Sequence, residues 1–89
     1  MLLISYFDWF GDLEELKKWD KAIKKACEET DGIEYKGRWV PNTKYHFCWM
    51  YIADGHGKLR EAWAKTGLVR DRSVFTHAET THFRGPIDE

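Results

Sequence analysis

The segment from Lys44 to Ala53 limits the possible folds of this chain more than any other segment does. In an extended strand, successive side chains point to opposite faces of the sheet. One face here carries Tyr45, Phe47, Trp49 and Tyr51, and the other carries His46, Cys48, Met50 and Ile52. Both faces are largely apolar, which is typical of a strand that is covered on both sides. We therefore predict a central strand of a sheet.

Hydrophobic periodicity divides the rest of the chain into two helices and three further strands. Asp12 and Glu15 have the spacing of a capping box at the start of the first helix, and Asp31-Gly32 ends that helix. The predicted elements are a strand Leu2–Trp9, a helix from Asp12 to Asp31, a hairpin of strands Ile33–Val40 and Lys44–Ala53 around the turn 41–43, a helix Lys58–Thr66 and a strand Ser73–Phe83.

The element order βαββαβ predicts an α+β domain of the ferredoxin-like type. Two βαβ units with right-handed crossovers place both helices on one face of a four-stranded antiparallel sheet of order 4-1-3-2. The first and third strands are then central, which agrees with their being the most apolar strands. We expect a single domain over residues 1–89, with a loose tail at residues 85–89.

The charge and the location of the cysteines exclude several classes of protein. A net charge of −1 and a pI near 6.4 disfavour nucleic acid as a partner, because such binders usually have a basic face. The apolar stretch from Met1 to Phe10 is too short to span a membrane, and Asp8 interrupts it. Cys27 and Cys48 have no disulfide-framework spacing. We expect a cytoplasmic protein with reduced cysteines.

The aromatic row on the predicted third strand poses a packing problem. The two helices cover one face of the sheet, and the other face would expose Tyr45, Phe47, Trp49 and Tyr51. Monomers rarely expose an apolar patch of this size, so we predict a homodimer through the sheet face. The alternative is a non-enzymatic interaction module whose aromatic sheet face binds a protein partner or single-stranded RNA.

A resemblance to a known group of proteins supports the dimer. The residues Gly32-Ile-Glu-Tyr-Lys-Gly-Arg-Trp39, followed by an apolar strand, an Asp-containing turn and a helix with Trp63, resemble small uncharacterised bacterial and archaeal proteins of the dimeric α+β barrel superfamily. That superfamily also contains the antibiotic-biosynthesis monooxygenases and muconolactone isomerase. The resemblance implies two sheets stacked face to face and a small-molecule pocket. It makes a cofactor-independent reaction of the monooxygenase or isomerase type one candidate activity, and whether the chain is an enzyme stays open.

His77 and Glu79 are the candidate catalytic residues. Two residues apart on a strand, they are expected to share a face, and an imidazole beside a carboxylate can act as a general base. We expect Trp49, Tyr51 and Tyr6 to line a ligand pocket with them, because aromatic walls with a few polar groups are usual in small-molecule sites.

The last strand also has two simpler interpretations. As the edge of the sheet it would carry polar side chains that discourage pairing with another chain. His82 would lie on the opposite face from His77 unless a bulge intervenes, so a metal site of His77, Glu79 and His82 is disfavoured. We predict neither a metal nor a cofactor.

Overall fold

A computed structural model of the chain describes residues 1–84 and shows the predicted order of elements. The elements are β1 (Leu2–Trp9), α1 (Leu13–Glu28), β2 (Ile33–Trp39), β3 (Phe47–Ala53), α2 (His56–Thr66) and β4 (Phe75–Phe83). The predicted tail at residues 85–89 lies outside the described residues. Within residues 1–84, neither helix is long and apolar enough to span a membrane.

The sheet has the predicted topology. Its strand order is β2-β3-β1-β4, all neighbours are antiparallel, and β1 and β3 are central. Element order and strand order are those of a ferredoxin-like fold. The apolar residues of both helices join one core with the strands, so both helices pack on the same face of the sheet.

Helix α1 begins where its sequence predicts. The Asp12 carboxylate accepts a hydrogen bond from the backbone N–H of Glu14 at 2.9 Å, which satisfies one of the free donors at the helix start. The indole N–H of Trp9 donates to the Asp12 carbonyl at 3.1 Å and ties the helix start to the end of β1. Leu16, Trp19 and Ile23 are buried against the sheet.

The connection between β2 and β3 is longer than the predicted turn, because β3 begins at Phe47 instead of Lys44. The backbone N–H of His46 donates to the Asp8 carboxylate at 3.0 Å, and the backbone N–H of Trp9 donates to Nδ1 of His46 at 3.1 Å. Residues just before β3 are therefore bound to the end of β1 through side chains and not paired with β2.

The face assignment of the third strand is wrong in the sequence-based prediction. Phe47, Trp49 and Tyr51 point toward the helices, and Trp49 and Tyr51 are completely buried there. The Trp49 ring stacks on Phe7 with centroids 3.9 Å apart. Only Tyr45, which precedes the strand, contacts a ring on the other face, that of Tyr6 at 5.5 Å. The aromatic row belongs to the core.

A polar group on α1 explains this orientation. Asp20 accepts hydrogen bonds from the indole N–H of Trp49 at 2.8 Å and from Nε of Arg38 at 2.9 Å. Arg38 reaches Asp20 because β2 has an irregularity between Tyr35 and Arg38, where Gly37 adopts a φ of +103° that favours glycine. Buried indole N–H groups need an acceptor, and α1 supplies one on the helix side.

Candidate functional site

A register shift in β4 decides which of its polar side chains meet. His77 pairs with Phe7 and Glu79 pairs with Tyr6, so Ala78 is an extra residue between them. Phe7 and Tyr6 are successive residues of β1 and point to opposite faces. His77 therefore lies on the helix side and Glu79 on the other side. The expectation that His77 and Glu79 share a face is wrong.

The same bulge brings other residues of β4 to the helix side. Thr80 pairs with Ser5, and His82 pairs with Leu3; both partners are buried on that side. His77, Thr80 and His82 thus share the face that points toward α2. We expected His82 on the opposite face from His77 unless a bulge intervened. The bulge at Ala78 puts both residues on the same face.

A cavity of about 250 Å³ lies between α2 and the sheet, next to β4. Helix α2 contributes residues at helical spacing i, i+3, i+4 and i+7, which lie on one face of a helix: His56, Leu59, Arg60 and Trp63. The strands contribute Ser5, Trp49, Phe75, His77 and Thr80, and the segment after α2 contributes Arg70. The cavity therefore has an aromatic wall and a polar side.

The polar side is a connected row across β1 and β4. The hydroxyls of Ser5 and Thr80 are hydrogen-bonded at 2.9 Å, and the Thr80 hydroxyl is also hydrogen-bonded to Nε2 of His77 at 3.0 Å. Partial burial, and next the positive charge of Arg70, lower the pKa of His77 below its ordinary value of 6.5. His77 is consequently neutral at neutral pH.

Two further histidines meet beside the cavity. Nε2 of His56 and Nδ1 of His82 are hydrogen-bonded at 3.1 Å, an arrangement that requires at least one of the two rings to be neutral. Within residues 1–84, His, Cys, Asp and Glu side chains form no group of three or more that could hold a metal ion.

The two arginines of the cavity differ from Arg38 in their ion pairing. Arg38 is paired with Asp20, whereas within residues 1–84 neither Arg60 nor Arg70 has a carboxylate oxygen within 4.0 Å. The guanidinium carbon of Arg70 lies 4.9 Å from the centre of the Trp63 ring. A cation over an indole face is held there by the charge distribution of the ring.

The predicted site residues are divided between three places. Trp49 and His77 line the cavity together. Tyr51 lies deeper in the core, and burial raises its pKa well above the ordinary value of 10.0. Tyr6 and Glu79 lie on the far side of the sheet. The roles assigned to these residues stay predictions, and the carboxylate expected to orient His77 is elsewhere.

The face of the sheet away from the helices is here called the open face. Its residues in register across the strands include Trp39, Leu2, Tyr6, Cys48, Met50, Ile52, Glu79 and Phe83. Ile52, Leu2 and Phe83 form one cross-strand row, and Ile52 and Phe83 are 43% and 54% exposed. The open face is largely apolar, with Glu34 of β2 opposite Ile52, and of the aromatic row from which an RNA-binding module was inferred only Tyr45 contacts it.

The comparisons with known proteins add no relative: no protein-family model, no curated protein and no solved structure matches this chain. The resemblance to the dimeric α+β barrel superfamily therefore rests on residues 32–39 and on the order of the elements, which the structure shares.

Proposed function

We propose that this chain is a homodimeric protein that binds a small organic molecule in the cavity between α2 and β4. The observation that carries the proposal is the composition of that cavity. Trp49, Trp63 and Phe75 provide apolar ring surface, and Thr80 and His77 provide polar atoms that point to the same space. An apolar pocket with a few converging polar groups is the usual form of a small-molecule site.

The size of the cavity restricts the ligand. At about 250 Å³ it is smaller than the ~300–1,000 Å³ of sites for drug-sized molecules. A molecule of one ring or of two fused rings fits this space better than a nucleotide or a larger cofactor does. If the bound molecule is also converted in a cofactor-independent reaction, as the resemblance implies, His77 is the group placed to accept a proton, since its lowered pKa keeps it unprotonated.

The open face supports the homodimer. Trp39, Ile52 and Phe83 are large apolar side chains, each about half exposed, on one continuous face of the sheet. Stacking this face on that of a second copy would bury them and would give the barrel arrangement that the resemblance implies. The prediction of a dimer through the sheet is thus kept, with different residues at its centre.

The binding site can be tested by nuclear magnetic resonance with a mixture of small aromatic compounds. Shifts are expected at the indole N–H groups of Trp49 and Trp63 and at the backbone of His77 and Thr80, while Glu79 on the open face stays unchanged. Trp63→Phe should alter the response, and Trp39→Phe, a matched tryptophan change on the open face, should not. Shifts that avoid the cavity residues would contradict the proposed site.

The homodimer is tested by sedimentation at micromolar concentration. A species of twice the 10.6 kDa chain mass is expected. A stable monomer would contradict the dimer and would instead favour an interaction module that offers the apolar open face to a different protein.

A further inference from the structure

We infer that the molecule accepted by this cavity is a planar organic anion whose carboxylate is bound by Arg60 and Arg70. This inference rests on the proposed function, because it names the chemical class of the ligand for the same site. It is carried by the charge of the lining, by the geometry of the two arginines and by the shape of the aromatic wall.

The charge of the cavity differs from that of the chain. The whole chain has 14 Lys and Arg against 15 Asp and Glu, a net charge of −1. The side chains that line the cavity and carry a permanent charge are those of Arg60 and Arg70, and no Asp or Glu of residues 1–84 lines it. A concave site lined by one sign of charge concentrates ligands of the opposite sign. An anion is therefore the ligand that this lining favours.

The two arginines lie beside the same tryptophan. Arg60 is three residues before Trp63 on α2, so their side chains are neighbours on the helix surface. Arg70 lies over the Trp63 ring at 4.9 Å. Stacking on a ring leaves the in-plane N–H groups of a guanidinium available, and these match the two oxygens of a carboxylate. A carboxylate at the edge of Trp63 would thus meet both cations.

Three aromatic rings lie behind the arginines. The rings of Trp63 and Phe75 are stacked with centroids 6.2 Å apart and planes 30° apart, and the buried Trp49 adjoins both. Aromatic side chains of this kind favour contact with another flat ring. The cationic lining and the aromatic rings together predict an aromatic or otherwise planar carboxylate.

Binding of an anion in this cavity should also cause His77 to take up a proton. Arg70 disfavours the charged form of His77, and Arg60 and His56 line the same space. A bound carboxylate offsets the charges of the two arginines and favours the imidazolium of His77. By linkage, affinity for the anion should then increase as pH falls toward and below the ordinary histidine value of about 6.5.

Three matched probes separate the parts of the inference. Benzoate, benzamide and cyclohexanecarboxylate have similar sizes and differ in charge or in planarity. In magnetic resonance titrations of the full chain, benzoate is expected to bind at least about tenfold more tightly than benzamide, the effect of one charge-assisted contact. Benzoate should also bind more tightly than cyclohexanecarboxylate.

The variants Arg60→Gln and Arg70→Gln should each weaken benzoate binding by about tenfold or more. Arg72→Gln removes the same charge outside the cavity and should leave the affinity within about twofold. All three positions are exposed, and circular dichroism verifies that the variants fold.

The outcomes distinguish this inference from the proposed function. Equal binding of benzoate and benzamide, or equal losses in Arg70→Gln and Arg72→Gln, would overturn the anion assignment and leave a small-molecule site. Equal binding of the two carboxylates would overturn planarity. If none of the three probes binds and aromatic mixtures also fail to shift the cavity residues, the proposed function fails and this inference fails with it.

Discussion

The two faces of the sheet are both apolar, but they differ in what they contact. On the helix side, Phe7, Trp49 and Phe75 are buried in a continuous set of ring contacts, and Asp20 holds the Trp49 indole. On the open face, Ile52 and Phe83 are about half exposed. Alternation along a strand sorts residues into two sets. The groups available on the helices then decide which set becomes the core.

The largest effect expected from this comparison is that of Trp49→Ala. Trp49 is completely buried between Phe7, Trp63 and Phe75, so its removal should lower the free energy of unfolding by about 3–5 kcal/mol. Trp39→Ala on the open face should change it by less than about 1 kcal/mol and should instead weaken the proposed dimer. Denaturant unfolding and sedimentation of both variants measure the two effects. Similar losses of stability in the two variants would contradict the face assignment.

Asp20→Ala tests the polar contact that orients the third strand. The change leaves the Trp49 indole N–H and the Arg38 guanidinium without their acceptor, and both members of the Asp20–Arg38 pair are only about one-fifth exposed. We expect a loss of about 1–3 kcal/mol in the free energy of unfolding. Glu28→Ala, which removes an exposed carboxylate on the same helix, is the control and should stay within about 0.5 kcal/mol. An unchanged Asp20→Ala variant would show that the contact does not stabilise the fold.

Ile52→Glu tests the open face through its effect on dimer formation. Ile52 is 43% exposed and pairs with Leu2, which in turn pairs with Phe83. A carboxylate placed there tolerates water in a monomer but would be buried in a dimer through the open face. Sedimentation should show a monomer, and circular dichroism should show that it is folded, whereas Glu34→Gln, at the position opposite Ile52 on β2, should remain a dimer. A dimer that survives Ile52→Glu would place the interface elsewhere.

Much of the architecture could be predicted because its signals are local. The bounds of β1, the cap at Asp12 and the order of the elements follow from alternation and from turn residues, and the structure confirms them. The face of Trp49 could not be predicted from β3 alone, because both of its faces are apolar. Asp20 was the signal for the face of Trp49. A carboxylate beside Trp19 on an otherwise buried helix face needs a hydrogen-bond donor on the sheet, and the Trp49 indole N–H is that donor.

The candidate site was only partly predictable for a different reason. The bulge at Ala78 reverses the face of every residue that follows it, and neither glycine nor proline marks it in the sequence. His56, Arg60 and Trp63 have helical spacing and could have been recognised as one face of α2. Arg70 lies in an irregular segment, where no periodicity predicts its direction. Trp49 and His77 line the same cavity as expected, but both lie on the helix side of the sheet and not on the open face where they were expected.

The smallest expected effect concerns His77, and it tests whether the helix side of β4 is as described. Burial and the charge of Arg70 lower the pKa of His77, so its imidazole resonances should titrate with a midpoint below 6.5. Arg70→Gln removes one cause, and the midpoint should move up toward 6.5. Arg72→Gln, outside the cavity, should leave it unchanged. A midpoint at or above 6.5 in the unaltered protein would mean that neither partial burial nor Arg70 acts on His77 as described.

The same shift predicts a dependence of stability on pH. Between the lowered pKa of folded His77 and the value near 6.5 of the unfolded chain, the unfolded chain binds more protons than the folded protein does. The free energy of unfolding therefore rises with pH through this window, and the stability contributed by the neutral ring is lost as pH falls through the folded pKa. Arg70→Gln should bring the folded and unfolded pKa values of His77 closer together. The free energy of unfolding should therefore fall less between neutral pH and pH near 5 in Arg70→Gln than in Arg72→Gln. Equal slopes in the two variants would show that Arg70 does not act on His77.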